Sequence, residues 1–149
     1  MKRKLSWPIF WATVAVFIII IVVILIPPAR ELLMGSIFLF TSGTILILLG
    51  AALIFRTVKE KVGGLLGKFL IMTGASAVGL FVSILLHNAV YGLFIFWFGA
   101  DFWDRIGMAD EPVFFFIALL VCPVVFLVGT VGSIVLAVKR HERPALLRQ

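Results

Sequence analysis

One histidine, His87, lies inside a long apolar stretch, and four carboxylates follow it: Asp101, Asp104, Asp110 and Glu111. Imidazole changes charge near neutrality, and both group types ligate divalent cations, so this set could hold a metal or pass a proton. The plainer reading is a histidine capped by a hydroxyl or carbonyl at the membrane edge, beside an acidic loop that serves topology and solvation. His87 falls eighteen residues into its apolar segment, about 27 Å from the segment's start if helical, which places it near one edge of the hydrocarbon. The chain has no H-E-x-x-H, no C-x-x-C-H and no paired carboxylates within an apolar segment. Cys122 is the single cysteine and reads as a small apolar filler. His141, in the basic tail, reads as solvated. GGLLGK invites a phosphate-loop reading and fails it: Val62 stands where the first glycine belongs, and Phe69 follows Lys68 where Ser or Thr is needed. The expectation is a non-enzyme with no cofactor.

A second pattern runs through the same segment. At 100° per residue, Thr73, Ser76, Gly79, Ser83, His87 and Tyr91 share an arc of about 120° on one helix face. Polar groups facing hydrocarbon are costly, so this face should turn toward protein. As a dry seam it lets helices approach closely through small residues; as a wet path it would lead to His87.

The elements that position these residues are membrane spans. The chain has 149 residues, of which 63% are hydrophobic, with a mean hydropathy of +1.24. A soluble domain is only about half apolar, so lipid must cover the excess. A span needs about 20 apolar residues, and four runs qualify: 7–26, 37–55, 69–91 and 113–138. The first run is too long for a signal-peptide core, and it ends in Pro27-Pro28 without a small-residue cleavage pattern. The prediction is an all-α integral membrane four-helix bundle, up-down-up-down, forming one domain over 1–149.

Further small-residue seams follow from spacing: Ser36, Gly43 and Gly50 on span two, and Gly129, Ser133 and Ala137 on span four. Gly92 and Gly99 offer breaks, so Phe94 to Trp103 reads as an interfacial shelf beyond span three. Pro123 frees the Leu119 carbonyl and predicts a kink. Pro144 argues against the last helix running far past the membrane.

Charge fixes the expected orientation. Lys2, Arg3, Lys4, Arg56, Lys59, Lys61, Lys68, Lys139, Arg140, Arg143 and Arg148 fall on one side of the four spans, and only Arg30 and Arg105 on the other. That split puts both termini in the cytoplasm of a cell (inner) membrane protein. The net charge of +6 is then an attraction to anionic lipid headgroups, and nucleic acid is excluded for want of a soluble basic face.

The strings TGASA at 73–77, LLHN at 85–88, DEPVFFF at 110–116 and CP at 122–123 resemble a group of short hydrophobic membrane proteins of bacteria and archaea that has no assigned activity. The resemblance covers roughly the second half of the chain and implies a small multi-span protein; it carries over no functional residue. Three roles compete. The first is an accessory or scaffold subunit that packs against itself or a larger membrane complex. The second is a transporter or channel component using the Thr73–His87 stripe. The third is a membrane enzyme or metal site at the outer rim.

Overall fold

A computed structural model describes residues 5–28 and 36–146. The described residues form helices α1 (Ser6–Leu25), α2 (Ser36–Lys59), α3 (Gly64–Phe98), α4 (Phe102–Arg105) and α5 (Pro112–Phe116), then a π-helical turn (Ile117–Val121) and α6 (Cys122–Leu146). No strand occurs among them. Among the described residues, four segments are long and apolar enough to cross a membrane: Ser6–Val23, Phe40–Lys59, Gly64–Phe98 and Pro112–Arg140. The predicted all-α four-helix bundle is the fold, and the chain is a multi-pass membrane protein.

The long helix α3 is the hub, packing against α2 on one side and α6 on another and touching α1. Its buried face runs Leu66, Leu70, Thr73, Ser76, Ala77, Leu80 and Ser83, with the three- and four-residue steps of one helix stripe. Close backbone approach holds the seams, as lipid demands when burying apolar surface gains little. A Cβ added at Gly50 would lie 2.7 Å from the Gly74 carbonyl oxygen, and one at Gly74 would lie 2.7 Å from that of Gly50. Gly43 faces the Phe81 ring, and a Cβ at Gly129 would sit 2.7 Å from Thr73 Oγ1. Phe17 of α1 stacks on Phe126 of α6 with centroids 3.7 Å apart.

Two remote contacts gather four helix termini at one end. The N–H groups of Leu5 and Ser6 donate to Glu60 Oε1 at 2.8 Å and Oε2 at 3.4 Å, so the carboxylate that follows α2 caps the free donors of α1. Arg140 Nη2 donates to the Gly63 carbonyl at 3.3 Å and ties α6 to the start of α3. Between α2 and α3 the chain turns sharply. Val62 N–H donates to the Thr57 carbonyl and Lys61 N–H to that of Val58, both at 3.0 Å, with Lys61 left-handed at φ 49°. This end carries Arg56, Lys59, Lys61 and Lys68, and the opposite end carries Asp101, Asp104, Asp110 and Glu111.

Expectations about helix boundaries are corrected at Gly92, at the Phe94 to Trp103 shelf and at Pro144. Gly92 does not break span three. The helix runs 35 residues to Phe98 and stops at Gly99, whose φ is +96°. An interior glycine costs only about 1 kcal/mol, and the extra turns are held from outside. Tyr91 stacks on Trp103 at 5.6 Å, Phe98 meets Phe102 at 5.1 Å, and Trp103 Nε1 donates to the Tyr91 carbonyl at 3.3 Å. The expected shelf of Phe94 to Trp103 is therefore a folded-back clasp, helix on one side and α4 on the other. At Pro123 the disturbance takes the form of a π-helical turn: Cys122 N–H reaches back five residues to the Ile117 carbonyl, just before the residue that has no donor. At the far end α6 passes Pro144 and continues to Leu146, since one lost donor near a helix terminus interrupts little.

Candidate functional site at the acidic end

Glu111 is built into the chain as a cap. Its Oε1 accepts from Val113 N–H at 2.8 Å and its Oε2 from Phe114 N–H at 3.0 Å, with Pro112 in the first turn of α5, where no donor is required. Asp110 Oδ1 accepts the Glu111 N–H at 2.8 Å. These local bonds fix the start of span four directly over His87 on α3.

His87 Nδ1 lies 3.0 Å from the Glu111 carbonyl oxygen and 3.4 Å from Glu111 Oε2, and its Nε2 lies 3.3 Å from Asp110 Oδ2. The His87 and Glu111 side chains are 15% and 5% exposed, whereas Asp110 is 50% exposed. Both ring nitrogens thus face acceptors. A neutral imidazole has one N–H and can serve one of them; the imidazolium serves both. The Phe115 ring covers one side, with its centroid 5.7 Å from that of His87.

The other two carboxylates are elsewhere. Asp101 pairs with Arg105 at 3.4 Å, and Arg105 Nη2 donates to the Phe98 carbonyl at 2.6 Å, which closes the loop on itself. Asp104 is exposed on α4. No group of three or more His, Cys, Asp or Glu among the described residues is placed to hold a metal, and the oxygens of Glu111 are already engaged by backbone donors.

The polar stripe leads away from this site through packed protein. Thr73, Ser76 and Ser83 are buried. Thr73 Oγ1 donates to the Phe69 carbonyl at 3.0 Å and Ser76 Oγ to the Met72 carbonyl at 2.8 Å, so both hydroxyls are satisfied within their own helix. Gly79 is looser than its neighbours, since an added Cβ would meet only Cys122 Sγ at 3.3 Å. Gly43 and Gly50 face α3, Gly129 and Ser133 are buried, and Ala137 is half-buried. The Ser36 side chain lies outside the described residues.

Sequence reasoning missed Gly74, Gly132 and Glu60. Gly132 lies over the Phe69 ring, where a Cβ would approach to 2.7 Å. Gly67 and Gly74 share a seven-residue spacing with each other, a signal that could have marked the α2-facing seam. Glu60 is the lone acid in a basic turn, and nothing local indicates its remote cap.

α2 also presents an uncovered face. Thr41 and Thr44 are exposed on it, and with Phe40 and Ile45 they line a depression of about 310 Å³. Compared with protein-family models, curated proteins and solved structures, the chain matches none.

Proposed function

We propose that the chain is a non-enzymatic accessory or scaffold subunit of the cell (inner) membrane, docking through the outer face of α2 onto a second copy of itself or a larger membrane complex. The observation that carries this reading is the composition of that face. Ile37, Thr41, Thr44, Leu48, Ala51 and Phe55 are all exposed and share an arc of about 80° at 100° per residue. Small and hydroxyl-bearing side chains let a partner helix approach closely. The Thr44 hydroxyl already donates to the Phe40 carbonyl at 2.7 Å, so covering it strands no donor. The seams at Gly43, Gly50 and Gly129 are consumed inside the chain, which leaves this face for a partner.

The test is co-purification from native membranes. Thr44→Trp should release the partner or dissociate the oligomer, and Val131→Trp, on the exposed face of α6, should not. Equal behaviour of the two variants would refute docking through α2. The rival conduit reading is tested at the stripe: in a Cys122→Ala background, Ser76→Cys and Ser83→Cys should resist water-soluble thiol reagents, because the thiolate forms only where water reaches. Ready modification at both positions would replace the scaffold with a conduit. The eleven-to-two division of Lys and Arg supports cytoplasmic termini and anionic headgroups at the basic end. An impermeant reagent applied to intact cells should label Asp104→Cys and spare Val62→Cys; the reverse pattern would invert the orientation.

A further inference from the structure

The lipid-facing surface is indented beside the acidic end. A cavity of about 320 Å³ lies between Ile21 of α1, Leu80 and Ile84 of α3, and Phe115, Ala118 and Pro123 around the π-helical turn. That is the low end of the range for small-molecule sites, about 300–1,000 Å³. Its wall is hydrocarbon throughout, and the wide turn that shapes it is a device often found at functional sites.

Two residues of its wall, Ile84 and Phe115, lead toward His87 and Asp110. Ile84 is one turn before His87, Phe115 packs on the His87 ring at 5.7 Å, and His87 holds Asp110 at 3.3 Å. Glu111 is spent on the α5 cap, but the Asp110 carboxylate is half exposed, with one oxygen on Glu111 N–H and the other on His87. From Gly99 to Pro112 the chain carries Asp101, Asp104, Asp110 and Glu111 against Arg105 alone. With Asp101 paired to Arg105 and Asp104 on α4, the negative charge nearest the mouth is that of Asp110 beside Glu111. An anionic headgroup is repelled there over a distance comparable to the Debye length, about 8 Å in physiological salt. A primary ammonium brings a positive charge and three N–H donors to the carboxylate.

We propose that this groove binds one acyl chain of a lipid whose headgroup carries a primary ammonium, with the ammonium held at Asp110. The lipid is drawn from the leaflet at the acidic end. The hydrocarbon wall takes the chain, and the charged mouth selects the head.

The test is native mass spectrometry of the intact chain released from nanodiscs that hold equal amounts of phosphatidylethanolamine, phosphatidylcholine and phosphatidylglycerol with identical acyl chains. The wild type should retain phosphatidylethanolamine over phosphatidylglycerol about fivefold, the scale of an exposed ion pair. Phosphatidylcholine, charged but without N–H donors, should fall between. Asp110→Asn keeps the acceptor for Glu111 N–H and removes the charge, so it should fold and bring phosphatidylethanolamine and phosphatidylcholine to parity. Ala118→Phe should fill the groove and cut retention of all three. Equal retention in the wild type, an unchanged preference in Asp110→Asn, or phosphatidylcholine retained as well as phosphatidylethanolamine would each overturn the proposal. Asp110→Asn carries the test even if Ala118→Phe fails to fold.

Discussion

Gly74→Ala is the sharpest perturbation of this fold. The added methyl would sit 2.7 Å from the Gly50 carbonyl oxygen and 2.8 Å from Ile54 Cγ1, where ordinary contact begins at 3.4 Å. The oxygen is backbone and cannot rotate away, so α2 and α3 must part by about 0.7 Å. A gap of that size forfeits roughly a quarter to a half of each dispersion contact, worth about 0.1–0.2 kcal/mol apiece. If the affected seam holds on the order of 40 atom pairs, about what one buried leucine makes, the loss is about 2 kcal/mol, within the usual cost of overpacking, about 1–3 kcal/mol. Gly92→Ala is the control. It lies in the same helix with no atom within 4 Å of the added carbon, and it should gain up to about 1 kcal/mol in helix propensity. Reversible unfolding in mixed micelles reads both. Gly74→Ala as stable as the wild type, or the two variants shifting together, would refute the close contact between α2 and α3.

Glu60→Ala should cost about 1 kcal/mol, the scale of a lost helix cap, and loosen α1, measurable as faster amide exchange near Leu5 and Ser6. Burial pushes the Glu60 carboxyl up, but the Ser6 hydroxyl, the Leu5 and Ser6 N–H groups and Arg56 outweigh it and hold the carboxyl below its ordinary range. The cap's contribution is therefore complete above that range and is lost as pH falls through the lowered value; a wild type and Glu60→Ala that lose stability in parallel on acidification would contradict the cap. Trp103→Ala should destabilise by about 3 kcal/mol and fray α3 beyond Tyr91, seen as lost helical signal and increased exchange at Phe94 to Phe98. Ser133 is fully buried and its hydroxyl has no hydrogen-bond partner among the described residues, so Ser133→Ala should be neutral or stabilising by up to about 1 kcal/mol; a clear loss of stability in the same unfolding assay would point to a partner for that hydroxyl.

Span number and the separation of charge between the two ends of the bundle follow from the sequence alone. Hydropathy sums over about 20 neighbouring residues, so a long apolar run needs no tertiary partner to declare itself. Each Lys, Arg, Asp or Glu is likewise assigned to an end of the bundle by counting spans. The 100° period also marked Thr73, Ser76 and Ser83 as inward-facing, because a polar side chain within an apolar helix must turn from lipid. Tertiary structure decided which of the small residues touch. Gly74 meets Gly50 backbone to backbone, whereas Gly79, on the very stripe the periodicity picked out, faces only the Cys122 side chain, with Sγ 3.3 Å from an added Cβ. That distinction depends on where two helix axes come closest, and no local property of either helix encodes it. The same holds for Gly92, whose weak break is overridden by Tyr91 and Trp103 stacking across a turn. The two largest surprises in the chemistry, Glu60 capping a helix 54 residues away and His87 facing Asp110 and Glu111 but not Asp101 or Asp104, are contacts between elements remote in sequence. Only the folded chain brings such groups to hydrogen-bonding distance, because the interaction falls away within a few ångströms and the sequence between them fixes no distance.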